Sequence, residues 1–414
     1  MNLEANMTIS ANAPAITEAT IRSLSQSKNE PSWLLEKRLE ALRAFEAMSM
    51  PNPLEEEWRR TDLSRIDFDA ALTGTGDGST ELRSESLPAG VVFSDLATAA
   101  REHEALIKQH MHSLVRPSEW KLSALQGAAW ANGAFVYVPR GVEVTLPLSY
   151  IARQGGSPLL PHLLVVAEAN SSVTVVQETS GEAPGWSLLS GAVEIVAKQD
   201  ARVRFVDLQG LGSKRAAAFQ TMRTHLDHGA ELNASLIGLG ALLSKTKLEV
   251  TLAGEGSRAE LLGLSFGNGK QHFDYVTLQD HIAPRTSSDL VFKAALDGES
   301  SMVWNGTVRI QKGAGQSEAN QTSRNLLLSE HAKAAPIPVL EIEAYDVLHC
   351  SHGATAGPLD EDQRFYLESR GIPPEETQQL LVEAFFREVI DRLPESVDRE
   401  RIEQSVLSKI GTRG

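Results

Sequence analysis

Apolar and polar positions along the chain fall into three textures. From Pro31 onward, Trp33, Leu34, Leu35, Leu39, Leu42 and Phe45 recur at helical spacing, with Glu36, Lys37, Arg38, Glu40 and Arg43 on the opposite face. That period predicts an amphipathic helix, stopped by Pro51 and Pro53. Residues 1–29, ahead of it, are polar, aperiodic and rich in Ser, Ala, Thr and Asn, and read as a disordered arm. A stretch of Gly, Thr and Asp over residues 73–81 reads as a loop. A second helical period, over residues 95–111, begins after Ser94, a residue suited to an N-cap.

Near Phe135 the texture changes to short runs rich in Val and Leu with period-two alternation, broken by Gly, Asn and Asp, up to about His352. Such runs fit pleated, half-buried strands. One phrase recurs among them: a turn residue, a small residue, then alternating apolar positions. It starts at Asn170, Asp200, Gly229 and Gly256, at spacings of 30, 29 and 27 residues. Repeats of that length are the mark of a solenoid, in which each coil buries its apolar face against the next. A β-sandwich also has evenly spaced strands but needs no such period. The third texture follows Gly357, where residues 360–370, 373–393 and 397–410 read as helices. Leu380, Leu381, Ala384, Phe385, Val389 and Ile390 form the expected apolar face there. The expected architecture is mainly β: a right-handed parallel β-helix at residues 133–357, a helical region at 30–132 before it and a helical domain at 358–414 after it.

Charge and composition narrow the function classes. Lys plus Arg is 39 and Asp plus Glu 54, a formal net charge of −15, the wrong balance for a general nucleic-acid binder. A single cysteine, Cys350, excludes an intrachain disulfide and an all-cysteine zinc site, and suits a reducing compartment. No apolar run reaches the roughly 18 residues of a membrane span, and the first residues carry no readable secretory or mitochondrial address, so a cytoplasmic protein with no membrane partner is expected.

Two motif matches are decoys. Gly263-Leu264-Ser265-Phe266-Gly267 has the spelling of a hydrolase nucleophile elbow, but its neighbours on both sides read as strand, where that elbow cannot form. Gly210-Leu211-Gly212-Ser213-Lys214 lacks the spacing of a phosphate loop, so any ATPase must be a partner. The segment His349-Cys350-Ser351-His352 carries more chemistry, since thiolate and imidazole ligate iron and zinc. In a strand, Cys350 and His352 share one face, and His349 and Ser351 the other. Two ligands do not close a tetrahedral site, so either a second chain supplies the rest or the pair is a buried cysteine beside a hydrogen-bonded histidine.

Several further stretches, in order, resemble one family. Gln321-Thr322-Ser323-Arg324-Asn325-Leu326-Leu327-Leu328-Ser329, Leu340-Glu341-Ile342, Cys350-Ser351-His352-Gly353-Ala354-Thr355, Asp360-Glu361-Asp362-Gln363, Phe365-Tyr366-Leu367 and Ser369-Arg370-Gly371-Ile372 look like the SufB/SufD family. Glu57-Trp58-Arg59-Arg60-Thr61-Asp62 and Phe135-Val136-Tyr137-Val138-Pro139-Arg140-Gly141-Val142 extend the likeness over nearly the whole chain from Trp33. The resemblance implies a non-catalytic scaffold subunit of the SUF iron–sulfur cluster assembly machinery. In that family SufB and SufD pair through β-helix cores, and each docks a SufC ATPase on its C-terminal helices. Short length and a lone cysteine are similar to the SufD branch. By resemblance, His352 matches a histidine at the SufB interface, and Cys350 a cysteine found there in many relatives. Both would then hold a transient iron–sulfur cluster shared with the partner. A reduced flavin in the complex is a further implication.

One departure concerns register. Leu348 and His349 make the segment after Asp346-Val347 one residue longer than the family's usual form. An added residue reverses the facing of everything after it unless a bulge absorbs it, and His349 then becomes a substitute ligand. Two rivals remain: a SufB-like homodimeric scaffold, and a β-helix carbohydrate-active enzyme using carboxylates such as Glu341 and Glu343, spaced to share a strand face.

Overall fold

A computed structural model describes residues 16–76, 78–212 and 214–410. Two nine-stranded sheets dominate it. The first holds β1 (Ser79–Arg83), β4 (Leu148–Arg153), β6 (Ser172–Gly181), β8 (Arg202–Leu211), β10 (Glu231–Gly238), β12 (Arg258–Gly267), β14 (Ser287–Leu296), β16 (Glu318–Leu327) and β18 (His349–Gly357). The second holds β2 (Val92–Asp95), β3 (Gly133–Val138), β5 (His162–Ala167), β7 (Ser187–Ala197), β9 (Ala216–Leu226), β11 (Leu243–Leu252), β13 (His272–His281), β15 (Ser301–Ile310) and β17 (Lys333–Ile342). Successive strands alternate between the sheets and pair in parallel with the strand two places on, so the chain winds as a flattened β-solenoid. Only β1, on β4, and β2, on β3, pair antiparallel, at the starting end of the stack.

The repeated phrase of the sequence is the corner that leads into the first sheet. Asn170, Asp200, Gly229, Gly256, Arg285 and Gln316 all have positive φ between 56° and 74°, and each stands two residues before its strand. That backbone suits Asn, Asp and Gly, which is why four corners are legible in the sequence. Arg285 and Gln316 carry no such signal and escape the pattern. Inside the coils, alternate residues such as Val175, Phe205, Leu261, Leu290 and Phe292 build one continuous core. Ser265 lies in this core with its hydroxyl 2.9 Å from Tyr275 Oη. A Cβ on Gly263 would meet the Phe292 ring at 2.4 Å, so the Gly-x-Ser-x-Gly match records close packing inside a strand.

Helices cover the two outer faces. α1 (Glu18–Ser27), α2 (Ser32–Ala47), α3 (Phe68–Thr73), α4 (Leu96–Glu102), α5 (Glu104–His110) and α6 (Lys121–Ala129) belong to the N-terminal region. Leu34, Leu42, Leu96 and Leu125 pack there with outward-facing Phe135, Leu164, Leu188 and Phe219 of the second sheet. α7 (Glu361–Ser369), α8 (Pro374–Ile390) and α9 (Arg399–Ile410) follow the last strand. Val382, Phe386 and Val389 of α8, with Val406 of α9, pack on outward-facing Val206, Ile237, Leu262 and Leu264 of the first sheet.

Several expectations need correction. Residues 1–15 of the expected arm lie outside the described residues, but α1 forms within it, because Thr17 caps its first turn and Ile21 is buried. The loop expected at 73–81 ends at β1, which begins at Ser79 and whose single large apolar residue, Leu82, left no alternation to read. The single helix expected at 95–111 is two, bent at His103, and its cap is Asp95, which accepts from Thr98 N. Arg38, on the polar face by period, is fully buried, bound to Glu30 and to the Ala128 carbonyl and stacked 4.0 Å from the Trp130 ring. On α8 the buried face is Val382, Phe386, Val389 and Ile390. The neighbouring apolar doublets Leu381-Val382 and Phe385-Phe386 left the helix rotation open, and the sheet settles it.

Candidate functional site

Both strands of the final coil lie at a sheet edge. β17 pairs only with β15, and β18 only with β16. Their far edges are free, and Ile342, Tyr345 and Leu348 are exposed large apolar side chains at this end. Open sheet edges with apolar surface mark a place where another chain can pair.

The segment His349-Cys350-Ser351-His352 opens β18 on this coil. Its register with β16 is regular: His349 faces Glu318, Cys350 Ala319, Ser351 Asn320 and His352 Gln321. From β14 to β16 and from β16 to β18 the offset is the same 31 residues. The added residue is therefore taken up before the strand, without a bulge in the ladder. Cys350 and His352 share the inward face, and His349 and Ser351 the outward one. His349 is thereby not interchangeable with Cys350.

On the inner side Cys350 is half-buried against Val308, Ile310, Ala314 and Ala319. Burial pushes its thiol pKa up, so at neutral pH it stays protonated unless a metal or partner stabilises the thiolate. His352 is exposed and stacks in register on Gln321, which is fully buried. Behind it a polar chain runs into the solenoid. Gln321 Nε2 donates to Gln279 Oε1 at 2.9 Å, Gln279 Nε2 donates to Ser288 Oγ at 2.6 Å, and His281 Nε2 lies 2.8 Å from the same hydroxyl. Burial brings the His281 imidazole down to about 4, so it is neutral.

A second chain of hydrogen bonds crosses the outer face. His349 Nε2 is 3.0 Å from Ser351 Oγ, Ser351 Oγ donates to Asn320 Oδ1 at 2.8 Å, and Asn320 Nδ2 donates to Asp289 Oδ1 at 2.8 Å. Arg392, just beyond α8, binds both Asp289 and Glu260. The outer ladder thus joins the open edge to the C-terminal helices. Those helices carry exposed apolar side chains of their own, Phe365 at 73%, Tyr366 at 56% and Leu380 at 39% exposure.

Cys350 and His352 alone leave a metal site incomplete. Among the described residues, the single group of three His, Cys, Asp or Glu side chains close enough to hold an ion is His112, His162 and Glu194, under the N-terminal helices. Gaps of tens of residues separate these three in sequence, so no spacing could reveal them. No described helix is long and apolar enough to cross a membrane.

Residues 150–385 match the family described as SUF system FeS cluster assembly, SufBD core domain, and residues 78–149 match the SufBD protein N-terminal region. The chain is similar to the iron-sulfur cluster assembly protein SufD of Bacillus subtilis strain 168, with 30% identity covering 92% of this chain and 94% of that one. It is also similar to iron-sulfur cluster assembly SufBD family proteins of Staphylococcus haemolyticus and Staphylococcus saprophyticus, each 27% identical over 92% of this chain and 90% of the relative.

Proposed function

Since the chain belongs to the SufBD family of iron–sulfur cluster assembly proteins, we propose that it is a SufD-like scaffold subunit, which pairs through its last coil with a SufB-like paralogue and docks a SufC-like ATPase on its C-terminal helices. The observation that carries this reading is the final coil, whose two strands lie at sheet edges, with Cys350 and His352 on its inner face. A partner strand beside β18 would satisfy its free backbone groups and bring further ligands to the same face. The nascent cluster is then cargo held between two chains. His352 is the exposed ligand, able to bind iron through a neutral imidazole. Cys350, recessed and protonated, joins only when the partner or iron draws off its proton. The ATPase is assigned to exposed Phe365, Tyr366 and Leu380, because the opposite face of α8 is spent on the sheet.

The test is co-purification with SufB-like and SufC-like partners, followed by iron and acid-labile sulfide assay. His352→Ala should leave subunit composition unchanged and lower cluster content severalfold, with Cys350→Ser showing a milder loss. Wild-type cluster content in the His352→Ala complex would leave that residue a structural role alone.

A further inference from the structure

The N-terminal helices meet the outer face of the second sheet over three side chains that the scaffold function does not use. His162 begins β5, Glu194 lies in β7, and His112 stands in the turn after α5. Each offers a donor atom, and these atoms all lie within 4.8 Å of one another. The His162 and Glu194 side chains are 0% exposed, with His162 Nε2 2.8 Å from Glu194 Oε2. The His112 and His162 rings meet edge to face, 4.9 Å between centroids.

Glu194 also fastens the turn, accepting from the backbone N–H groups of His112, Leu114 and Val115 at 2.7, 2.7 and 3.0 Å. The carboxylate takes up the backbone donors of the turn, and the two imidazoles lie against it from either side. His112 itself is held at φ 60°, in the left-handed region that few residues other than glycine adopt. Its Nδ1 lies 3.3 Å from the Val115 carbonyl. With the proton on Nδ1, that contact leaves the Nε2 lone pair free, the way a carbonyl orients a metal-ligating histidine. Burial, helped by His162, brings the His112 imidazole down to about 3, so it is neutral at physiological pH. Burial by itself would raise the Glu194 carboxyl, but the His162 hydrogen bond and charge hold it below its ordinary range. Arg223, in register beside Glu194, is engaged by Glu119, Glu249 and the Leu114 carbonyl. A cavity of about 300 Å³ lined by Lys37, Glu40, Arg116 and Ser118 opens onto His112.

We propose that His112, His162 and Glu194 form a binding site for one divalent transition-metal ion. Two imidazole nitrogens and one carboxylate oxygen suit zinc, cobalt or iron(II) rather than the all-oxygen preference of calcium and magnesium. The ion takes the place of the proton between His162 Nε2 and Glu194, and the neutral ring carries its one proton on Nδ1, which has no other partner among the described residues. Bound there, it ties the turn after α5 to two strands of the solenoid.

The experiment titrates Co²⁺ into the full chain after chelator treatment, following the visible d–d absorption and the melting temperature. One Co²⁺ per chain, with a rise in melting temperature as the ion binds the folded state, is the expected result. His112→Asn keeps a side chain that tolerates positive φ and should weaken binding by about tenfold or more. His162→Phe, which keeps a ring in the buried slot, is a second variant with the same expected loss. Absence of Co²⁺ binding by the wild-type chain, or binding of wild-type strength in either variant, overturns the proposal. Loss of the absorption in a His352→Ala, Cys350→Ser double variant, with retention in His112→Asn, moves the ion to the last coil and overturns it too.

Discussion

Asp207 is a carboxylic acid sealed inside the solenoid. Its two oxygens accept from Gln177 Nε2 at 3.0 Å and from Gln220 Nε2 at 2.9 Å. Burial nevertheless pushes its pKa from the ordinary 3.8 up to about 6, against those two donors. The native state therefore binds this proton more tightly than the unfolded chain does. Linkage then fixes the sign: the stabilisation is complete below pH 3.8 and is lost as pH rises through about 6. Buried His281 works in the opposite sense, since its value falls from 6.5 to about 4, so its contribution is lost on acidification. Subtracting Asp207→Asn from wild type isolates the acid. Urea midpoints of wild type minus variant should decline between pH 4 and 6.5, and a flat difference would contradict the assignment. None of this was legible beforehand, because Asp207 occupies an inward position that alternation assigns to apolar residues. Arg38 failed for the reverse reason: helical period gave it to water, while Glu30, Ala128 and Trp130 supply a buried partner for every part of its head group. The facing of Cys350 and His352, by contrast, followed from strand parity alone.

At the scale of elements, the C-terminal helices carry two apolar surfaces with different uses. Phe386 is fully buried against the first sheet, whereas Phe365 on α7 is 73% exposed. Removing a buried aromatic ring costs about 3–5 kcal/mol, and an exposed substitution usually stays within about 0.5 kcal/mol. Phe386→Ala should therefore lower the denaturation midpoint and loosen the C-terminal helices. Phe365→Ala should leave the midpoint in place and weaken capture of the ATPase, read by co-purification. Equal effects of both variants on stability would remove the distinction between the faces. Elements with a long, repeated pattern, such as α2 and the strands from Gly133 onward, were readable in sequence because their apolar positions recur at a fixed period from one coil or turn to the next. β1 and α1 were not, being short elements whose stability comes from the neighbour they rest on rather than from their own pattern.

Over the whole molecule the two ends of the stack are unequal. Antiparallel β1 and β2 form the sheet edges at the starting end, helices cover the broad faces, and parallel β17 and β18 form the edges at the other end, with Ile342, Tyr345 and Leu348 exposed beside them. Without a partner, two copies of this chain can pair edge to edge there. Sedimentation of the isolated chain should show concentration-dependent association, and Leu348→Lys, which sets a charge beside the free edge, should return it towards monomer. A monomer at all concentrations in the wild type would show that this edge is protected by means other than a partner.

The in-register stacking of the coils has one more consequence, for the order of events as the chain is made. Each coil can bury its inner face only on the one before it, so assembly proceeds as layer upon layer, with every new strand templated by its predecessor. At any moment the leading layer is an unfinished face, ready to take the next. β17 and β18 are that leading layer, with no further coil to receive. The last coil is thus a growth front halted in place, and a second solenoid laid against it would extend the stack by the same rule that built it.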